Sequence, residues 1–418
     1  MSADDAMVVI GGGQCGARAV QVLREGGWEG AITLIADEAA QPYERPPLSK
    51  AVLVGERTPE QGAIHRETFY REQRVDLRSG CAASAIDCAA QTVTLAHGES
   101  LSYHRLLIAT GAEPRRMSVP GADLAGVHVL RNASDALAIA GELGPGRRIA
   151  VIGAGFIGLE VAASARQRGC EVTVFEAAPR ALMRAVPAEV AQCLVDLHRE
   201  RGVDVRFDVQ VRRFEGEGRV NGVVLGDGTV VPCDAAVVGI GVAPRVALAQ
   251  EAGLAIDNGV AVDPMLRTSD PHIYAAGDVC SFVHPLYGRR IRLECWRNAE
   301  DQARVAALNM LGRDEAYSAV PWFWSDQYDM TIQIAGLPGF GSTRAVRATG
   351  PASKVFFAFD EAGWLVGASG VGQTGEIARD VRIAQELIAR RVRIEPERLA
   401  DSTTKLKSLL AAVVHGTT

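Results

Sequence analysis

Two glycine-rich loops give the clearest indication of chemistry in this 418-residue chain. The first follows the apolar run "MVVI" and the second follows "IAVI", and both have the spacing G-x-G-x-x-G. The glycines of the first loop are Gly11, Gly13 and Gly16, and those of the second are Gly153, Gly155 and Gly158. Without Cβ atoms the backbone can turn tightly and approach a pyrophosphate, whose charge is favoured at a helix N-terminus. The sequence therefore predicts two dinucleotide-binding loops.

An acidic residue follows each loop roughly 20 residues further on, at the distance expected for a ligand of ribose hydroxyls. Asp37 follows the first loop, with Glu38 as a neighbouring candidate, and Glu176 follows the second. A single G-x-G-x-x-G match is weak, because glycine-rich turns occur for other reasons. Two matches in register, each with its acid, favour the dinucleotide interpretation.

The elements around each loop predict a βαβ unit, because an apolar strand precedes the loop and an amphipathic helix and a second strand follow it. Both first strands are continuous β-branched runs, as in parallel strands that helices cover on both faces. We therefore expect an α/β fold with two doubly wound, Rossmann-like domains. From "PWFWSDQYDMTIQIAG" onward, alternating strands and a final helix predict a third, α+β domain. The expected domains are 1–112 with 243–318, 113–242, and 319–418.

Composition excludes several other classes of protein. The net charge of −6 gives no sign of a general nucleic-acid or membrane-binding surface. The eight cysteines form no C-x-x-C pair, which argues against a disulfide framework, a zinc site or an iron–sulfur cluster, and the histidines show no ligand spacing. From this spacing we expect no metal site. No run of 18 apolar residues occurs, and an acidic N-terminus precedes the first strand, so we expect a cytoplasmic protein.

Two further segments resemble those by which two-dinucleotide flavoprotein reductases of the glutathione-reductase-like fold hold FAD. These are "ATGAEPR", after a later strand of the first domain, and "TSDPHIYAAGDV", whose Asp278 would meet the ribityl chain. On this resemblance the N-terminal unit, with Asp37 and Asp278, holds FAD. The inserted unit, with Glu176, holds the nicotinamide dinucleotide.

The stretch "PYERPPLSK" (42–50) lacks the cysteine or cysteine pair that thiol-using relatives of this architecture carry there. Electrons must then leave from the flavin to a separate acceptor. Through "RPPLSK", "GxGxxGLE", "AAGD" and "PWFWSDQY" the whole chain resembles the oxygenase-coupled NADH–ferredoxin reductases. The resemblance implies bound FAD, NADH as substrate, a [2Fe–2S] ferredoxin as partner for a bacterial monooxygenase or ring-hydroxylating dioxygenase, and a monomer or weak dimer.

The same resemblance implies roles for individual residues. Lys50 would lie at the N5 edge of the flavin, where its ammonium favours the reduced ring, and Glu160 would pair with it. The alternative for Lys50 is a solvated loop residue, and for Glu160 a partner of the helix dipole. The implied FAD contacts are Cys15, Asp37, Lys50, Ala83, Arg131, Asp278 and Trp296, of which Cys15 and Ala83 would act mainly through the backbone.

Glu176 favours NADH over NADPH, because its carboxylate would accept from ribose hydroxyls and repel a 2′-phosphate. Arg184, assigned to the same site, and Arg180 weaken this inference, since an arginine can accommodate that phosphate.

A tryptophan triplet and several basic residues are candidates for electron exit. Trp296 would flank the flavin and Trp324 would lie on the path to the ferredoxin, whereas the alternative for both, and for Trp322, is packing. Ferredoxins of this type are acidic, so a local basic cluster should steer them. The resemblance gives Arg66, Arg304 and Lys407 as candidates, with ordinary solvated charge as the alternative.

Other functions remain open within the same fold. A reductase of rubredoxin or another small carrier would share the glycine loops and lack the thiols. A redox-sensing flavoprotein of the apoptosis-inducing-factor kind would bind NADH to change its association. A disulfide reductase is disfavoured by the missing cysteines.

Overall fold

The computed structural model describes residues 5–414, which form two compact units that each combine several chain segments. Within these residues, the first unit consists of 5–45, Pro59–Glu113 and Val242–Ala319, and the second of Pro46–Thr58, Pro114–Gly241 and 320–414.

A five-stranded, all-parallel sheet forms the centre of the first unit. Its inner strands are mostly buried and apolar, as expected for parallel strands covered on both faces, whereas the edge strand Val75–Arg78 is only partly buried. In spatial order they are Ile273–Ala275, Arg105–Ile108, Ala6–Ile10, Ala31–Ile35 and Val75–Arg78.

Two long helices and several smaller sheets complete the first unit. The helices Gln14–Glu25 and Trp296–Met310 pack against each other. The smaller strands are Ala83–Asp87, Thr92–Leu95 and Ser100–Ser102; Val260–Ala261, Cys280–His284 and Arg289–Ile291; and the pair Ala112–Pro114 and Val242–Pro244. The short helices are Phe69–Glu72 and Ala247–Glu251.

The second unit repeats the parallel arrangement. Its strands, in spatial order, are Asp204–Arg206, Glu171–Phe175, Arg148–Ile152, Ala235–Val238 and Val127–Val129, and all neighbours are parallel. The helices are Ala51–Val54, Ala133–Glu142, Phe156–Gln167 and Ala188–Glu200, and a small antiparallel sheet contains Val211–Glu215, Gly222–Leu225 and Val230–Pro232. The predicted fold class, with two Rossmann-like regions, is confirmed.

The C-terminal part of the second unit is a five-stranded antiparallel sheet with helices. The strands Lys354–Phe359 and Leu365–Gly372 form an antiparallel hairpin around the turn "DEAG". The other strands are Trp322–Gln327, Met330–Gly336 and Thr343–Ala348, and the helices are Thr374–Ala389, Pro396–Ala400 and Leu406–Val414. The three-domain division of the chain stays a prediction.

The segment Pro46–Thr58 lies in the predicted FAD-binding domain by sequence, but it clusters with the second unit. Hydrogen bonds from the helix Phe156–Gln167 and from its C-cap residue Arg168 explain this position. The Ser164 hydroxyl donates to the Ser49 carbonyl oxygen at 2.7 Å, and Arg168 donates to the Leu53 carbonyl oxygen at 3.1 Å.

Candidate functional site

The first glycine loop is closed to side chains at its two ends. Gly11 has φ +123°, and a Cβ atom there would lie 2.1 Å from the carbonyl oxygen of Ala109, which directly follows the neighbouring strand Arg105–Ile108. A Cβ atom at Gly16 would lie 1.9 Å from the Gly11 carbonyl oxygen. Both distances are far below van der Waals contact, so the turn and the close approach of the helix require glycine.

Gly13, between them, differs because a Cβ atom there would meet nothing within 4 Å. This residue is the N-cap of the helix Gln14–Glu25 and provides no side-chain hydrogen bond to it. The backbone thus leaves open space at the helix N-terminus, where N–H groups favour an anion. A cradle of this kind fits the pyrophosphate of a dinucleotide.

The second loop repeats this geometry. Gly153 has φ +104°, and a Cβ atom there would lie 2.4 Å from the Gly239 carbonyl oxygen. A Cβ atom at Gly158 would lie 2.1 Å from the Gly153 carbonyl oxygen, whereas at Gly155 the nearest atom would be 4.0 Å away. A second pyrophosphate therefore fits here.

The acid after the first loop is held by an arginine. Asp37 is exposed and accepts a hydrogen bond from Arg245 Nη1 at 2.7 Å. Burial alone would raise the pKa of the Asp37 carboxyl, but the hydrogen bond and charge of Arg245 outweigh burial and lower that pKa. The neighbouring Glu38 accepts from Tyr43 and, at 2.6 Å, from Arg45. Asp37 therefore stays ionised and able to accept from ribose hydroxyls.

Glu176 follows the strand Glu171–Phe175, and its carboxylate is fixed by backbone amides. Oε2 accepts from the Ala154 N–H, within the glycine loop, at 2.7 Å, and Oε1 accepts from the Ala178 N–H at 2.8 Å. The acid predicted for the second ribose thus lies directly beside the second loop.

The two arginines near Glu176 have different environments. Arg180 donates to three carbonyl oxygens of its own loop, those of Ala181, Met183 and Val186. It therefore serves the loop conformation. The Arg184 guanidinium lies against Gly241, which follows the strand Ala235–Val238.

Lys50 and Glu160 form an ion pair, with Nζ 2.9 Å from Oε2. The Lys50 side chain is 23% exposed and that of Glu160 is 4% exposed, which excludes the reading of Lys50 as a freely solvated loop residue. Glu160 also accepts from the Ser49 hydroxyl and, at 2.6 Å on Oε1, from the Ser325 hydroxyl. A buried carboxylate needs such partners, because burial without them would be costly. The roles of both residues stay predictions.

Two of the predicted FAD contacts are Cys15, which lies within the first glycine loop, and Asp278, whose neighbour Gly277 packs against Cys15. The Cys15 side chain is buried against Gly277, the residue before Asp278. Burial raises the pKa of the Cys15 thiol, so this cysteine stays protonated and packs as a small apolar residue. The Gly277 N–H donates to Gln302 Oε1 at 2.8 Å, which fixes the turn that carries Asp278.

The other predicted FAD contacts lie at the ends of elements. Ala83 begins the strand Ala83–Asp87, just after Cys81, whose N–H donates to the Ala36 carbonyl oxygen at 2.8 Å beside Asp37. Trp296 is half-buried and begins the helix Trp296–Met310. Arg131 lies in the second unit, and its backbone N–H donates to Asp135 at 2.9 Å.

Trp322 and Trp324 stack on each other with ring centroids 5.4 Å apart, and Trp324 Nε1 donates to Asp326 at 3.1 Å. Among the basic candidates, Arg66 pairs with Glu72 and Arg304 with Glu315, which reduces the local positive charge at both. Lys407 is exposed on the helix Leu406–Val414.

Within residues 5–414, no group of three or more His, Cys, Asp or Glu side chains could hold a metal ion. In the same part of the chain, no helix is both long and apolar enough to cross a bilayer.

Sequence reasoning missed four residues that support the site. Ser49 is part of "RPPLSK" and Ser325 follows Trp324 directly, so the motifs contained both. Arg245 ends "GVAPR", which matches "GAEPR" after the first domain's strand, and this repeat is the available signal for it. Gln302 lies in a helix and has no distinguishing pattern.

Comparison with known proteins adds to this geometry. The family model described as "Pyridine nucleotide-disulphide oxidoreductase" matches residues 5–303. The chain belongs to this family. A second model, "Reductase C-terminal", matches residues 322–410.

Similar proteins match this chain over nearly its whole length. The anthranilate 1,2-dioxygenase system ferredoxin–NAD(+) reductase component of Burkholderia cepacia is 42% identical over 98% of this chain and 100% of its own. Putidaredoxin reductase of Pseudomonas putida is 37% identical over 99% and 98%. The crystal structure of the covalent putidaredoxin reductase–putidaredoxin complex matches with a TM-score of 0.94 and 36% identity over 98% of this chain and 99% of that one.

These findings confirm the resemblance to ferredoxin reductases and the glutathione-reductase-like fold. The protein is a flavoprotein oxidoreductase that binds FAD and uses NADH. Both glycine loops fit these dinucleotides on the geometry described above.

Proposed function

We propose that this oxidoreductase is the reductase component that passes electrons from NADH through FAD to a [2Fe–2S] ferredoxin, which serves a bacterial monooxygenase or ring-hydroxylating dioxygenase. The observation that carries this proposal is the end-to-end match to the reductase component of a dioxygenase system. The C-terminal sheet that begins with "PWFWSDQ" is part of that match.

Some of these residues bind the two dinucleotides, and others adjust the reactivity of the flavin. Bound FAD supplies the exchange between a two-electron donor and one-electron acceptors. The first loop, with Asp37 and Asp278, holds FAD, and the second loop, with Glu176 and Arg184, holds NADH. Lys50 presents an ammonium group to the flavin, and Glu160 keeps that group in place. A fixed positive charge stabilises a more electron-rich ring.

The transfer of electrons from the flavin to the ferredoxin is assigned to one tryptophan and to basic residues that would face the ferredoxin. The stretch 42–50 holds no cysteine, so the chain offers no thiol there to receive electrons. Trp324 lies on the exit path, and Arg66, Arg304 and Lys407 attract an acidic ferredoxin. Since both arginines of this set are ion-paired, the electrostatic attraction of the ferredoxin is modest and depends on salt.

The organisation of the protein completes the proposal. The FAD-binding domain comprises 1–112 and 243–318, the NADH-binding domain 113–242, and the interface domain 319–418. The protein acts in the cytoplasm as a monomer or weak dimer, which sedimentation velocity at micromolar concentration tests.

A coupled assay tests the function. The purified protein should be yellow and lose that colour with NADH. It should reduce cytochrome c at least about tenfold faster when a [2Fe–2S] ferredoxin is added, because the ferredoxin carries electrons to the final acceptor. The same assay with rubredoxin in place of ferredoxin tests the alternative carrier. Equal rates without any carrier, or faster reduction of a disulfide substrate, contradict the proposal.

Two tryptophan variants separate electron exit from packing. Trp324→Ala should slow ferredoxin reduction and leave the dissociation constant for NADH unchanged. Trp364→Ala is the control, because this indole belongs to the same C-terminal region and lies beside the guanidinium groups of Arg391 and Arg393. Equal losses of ferredoxin reduction in both variants would assign Trp324 to packing.

A further inference from the structure

The Glu160 carboxylate receives hydrogen bonds from two separate segments of the second unit. Ser49 and Lys50 bond Oε2 from the segment Pro46–Thr58. Ser325, from the strand Trp322–Gln327, bonds Oε1 at 2.6 Å. The orientation of the carboxylate is therefore set from both sides, and one side belongs to the C-terminal sheet.

The charge of Glu160 determines the direction of a longer chain of hydrogen bonds. An ionised carboxylate only accepts, so the Ser325 hydroxyl donates to it. The Ser325 oxygen then accepts from Gln327 Nε2 at 3.1 Å, and Gln327 Oε1 accepts from His198 Nε2 at 2.8 Å. His198 therefore carries its proton on Nε2, and its Nδ1 accepts from the Tyr328 hydroxyl at 3.2 Å.

Because these residues are buried, the direction of each hydrogen bond in the chain stays fixed. Ser325, Gln327 and His198 are 1%, 2% and 0% exposed, so water does not compete for their polar atoms. Burial also lowers the pKa of His198, which keeps the imidazole neutral and able both to donate and to accept. Each member has a partner, and a fully paired buried network fixes its members more firmly than isolated bonds.

The strand that supplies Ser325 has two different faces. Side chains alternate along a strand, so Ser325 and Gln327 share one face and Trp322 and Trp324 share the other. On the Ser325 face, Phe323 packs on Phe156, at the start of the helix that carries Glu160, with ring centroids 4.5 Å apart. One strand thus links the Glu160 network to the tryptophan pair.

We propose that Ser325, oriented by Gln327 and His198, is a positioning residue that holds Glu160 and thereby sets the place of the Lys50 ammonium. The inference rests on the proposed role of Lys50 beside the flavin. It extends that role by making the C-terminal sheet a determinant of flavin reactivity. Without the Ser325 hydroxyl, Oε1 loses a donor, the carboxylate rotates, and Lys50 loses its fixed position.

The test compares Ser325→Ala with Ser325→Thr, which retains a hydroxyl. Stopped-flow reduction by NADH and the midpoint potential of the bound flavin are measured in the holoenzyme. In Ser325→Ala we expect the limiting reduction rate to fall on the order of tenfold, the scale of a lost hydrogen bond to a charged group. The potential should become more negative, the NADH dissociation constant should stay unchanged, and Ser325→Thr should restore rate and potential.

Ser369→Ala provides a matched control. Ser369 lies in the same antiparallel sheet, is fully buried, and its hydroxyl has no hydrogen-bond partner within the described residues. Loss of this hydroxyl should change neither rate nor potential. Equal effects of Ser325→Ala and Ser369→Ala would overturn the inference, and so would a Ser325→Thr variant that behaves like Ser325→Ala.

Lys50→Ala distinguishes failure of the inference from failure of the proposed function. If Lys50→Ala changes rate and potential but Ser325→Ala does not, the positioning role alone is wrong. If Lys50→Ala changes neither, the proposed role of Lys50 is wrong and the inference fails with it. Should Ser325→Ala not fold with FAD, Gln327→Met interrupts the same network one step back, where we expect a smaller effect in the same direction. Unchanged rate and potential in that variant would also overturn the inference.

Discussion

The two glycine loops share their backbone and differ in their acids. In both loops, a Cβ atom added to the first or the third glycine would lie 1.9–2.4 Å from a backbone carbonyl oxygen. A Cβ atom added to the middle glycine would lie in open space. Asp37, after the first loop, pairs with a partly exposed arginine, whereas Glu176, after the second, bonds two backbone amides, one of them within its own loop. The phosphate cradle is thus set by the fold, and the ribose site is set separately in each copy.

This difference agrees with the two roles proposed for the loops. Glu176 is already positioned by the backbone, so the exchanging NADH meets a site that needs little rearrangement. Asp37 is held by a side chain that can move.

The largest effect is expected at the first loop. Gly16→Ala places a Cβ atom on a backbone oxygen, so this variant should be destabilised and isolated without FAD. Gly13→Ala adds a methyl group to open space, so the protein should fold but lose FAD, because the methyl group occupies the cradle. The 450 nm to 280 nm absorbance ratio and the melting temperature of the FAD-free protein measure both. Retention of FAD by Gly13→Ala would contradict the cradle.

A large but more selective effect is expected at the second loop. Gly155→Ala should retain FAD and raise the Michaelis constant for NADH about tenfold or more, the loss expected when a phosphate is displaced from helix N–H groups. Steady-state kinetics and the flavin spectrum measure this. Loss of FAD from Gly155→Ala would reverse the assignment of the two loops.

An intermediate effect is expected at the acid of the second loop. Glu176→Ala removes the acceptor for ribose hydroxyls and the charge that opposes a 2′-phosphate. The preference for NADH over NADPH should fall about tenfold, equivalent to about 1.4 kcal/mol. The ratio of kcat/KM for the two dinucleotides measures it. Asp37→Ala is the control, since it should leave that ratio unchanged.

The smallest effect is expected for Arg245. The pKa of Asp37 is lowered in the folded protein, so the stabilisation by this pair is present above the ordinary value of 3.8 and is lost as the pH falls through the lowered pKa. Arg245→Ala should remove this pH dependence and change the free energy of unfolding by about 1 kcal/mol or less, as for other exposed pairs. Denaturant unfolding at pH 7 and pH 3 measures both. A larger loss at pH 3 than at pH 7 would contradict this sign.

The local sequence pattern was sufficient to predict the two glycine loops, the strands that precede them and the fold class. Glycine spacing and β-branched runs act within about 30 residues, the size of one βαβ unit. The support of Glu160 was not predictable in the same way, because Ser325 is 165 positions away and strand alternation gives its face but not its partner. Arg245 is 208 positions from Asp37. The association of 46–58 with the second unit likewise depends on contacts formed only after folding.

The order of the strands along the chain has a consequence for synthesis on the ribosome. The edge strand Ile273–Ala275 of the first parallel sheet follows, in sequence, all five strands of the second one. Until it emerges, the strand Arg105–Ile108, whose residues Leu106, Leu107 and Ile108 are buried in the folded protein, is left as an exposed apolar sheet edge in the nascent polypeptide. Exposed sheet edges pair readily with other chains, so fragments released by translation that stalls before residue 276 should aggregate.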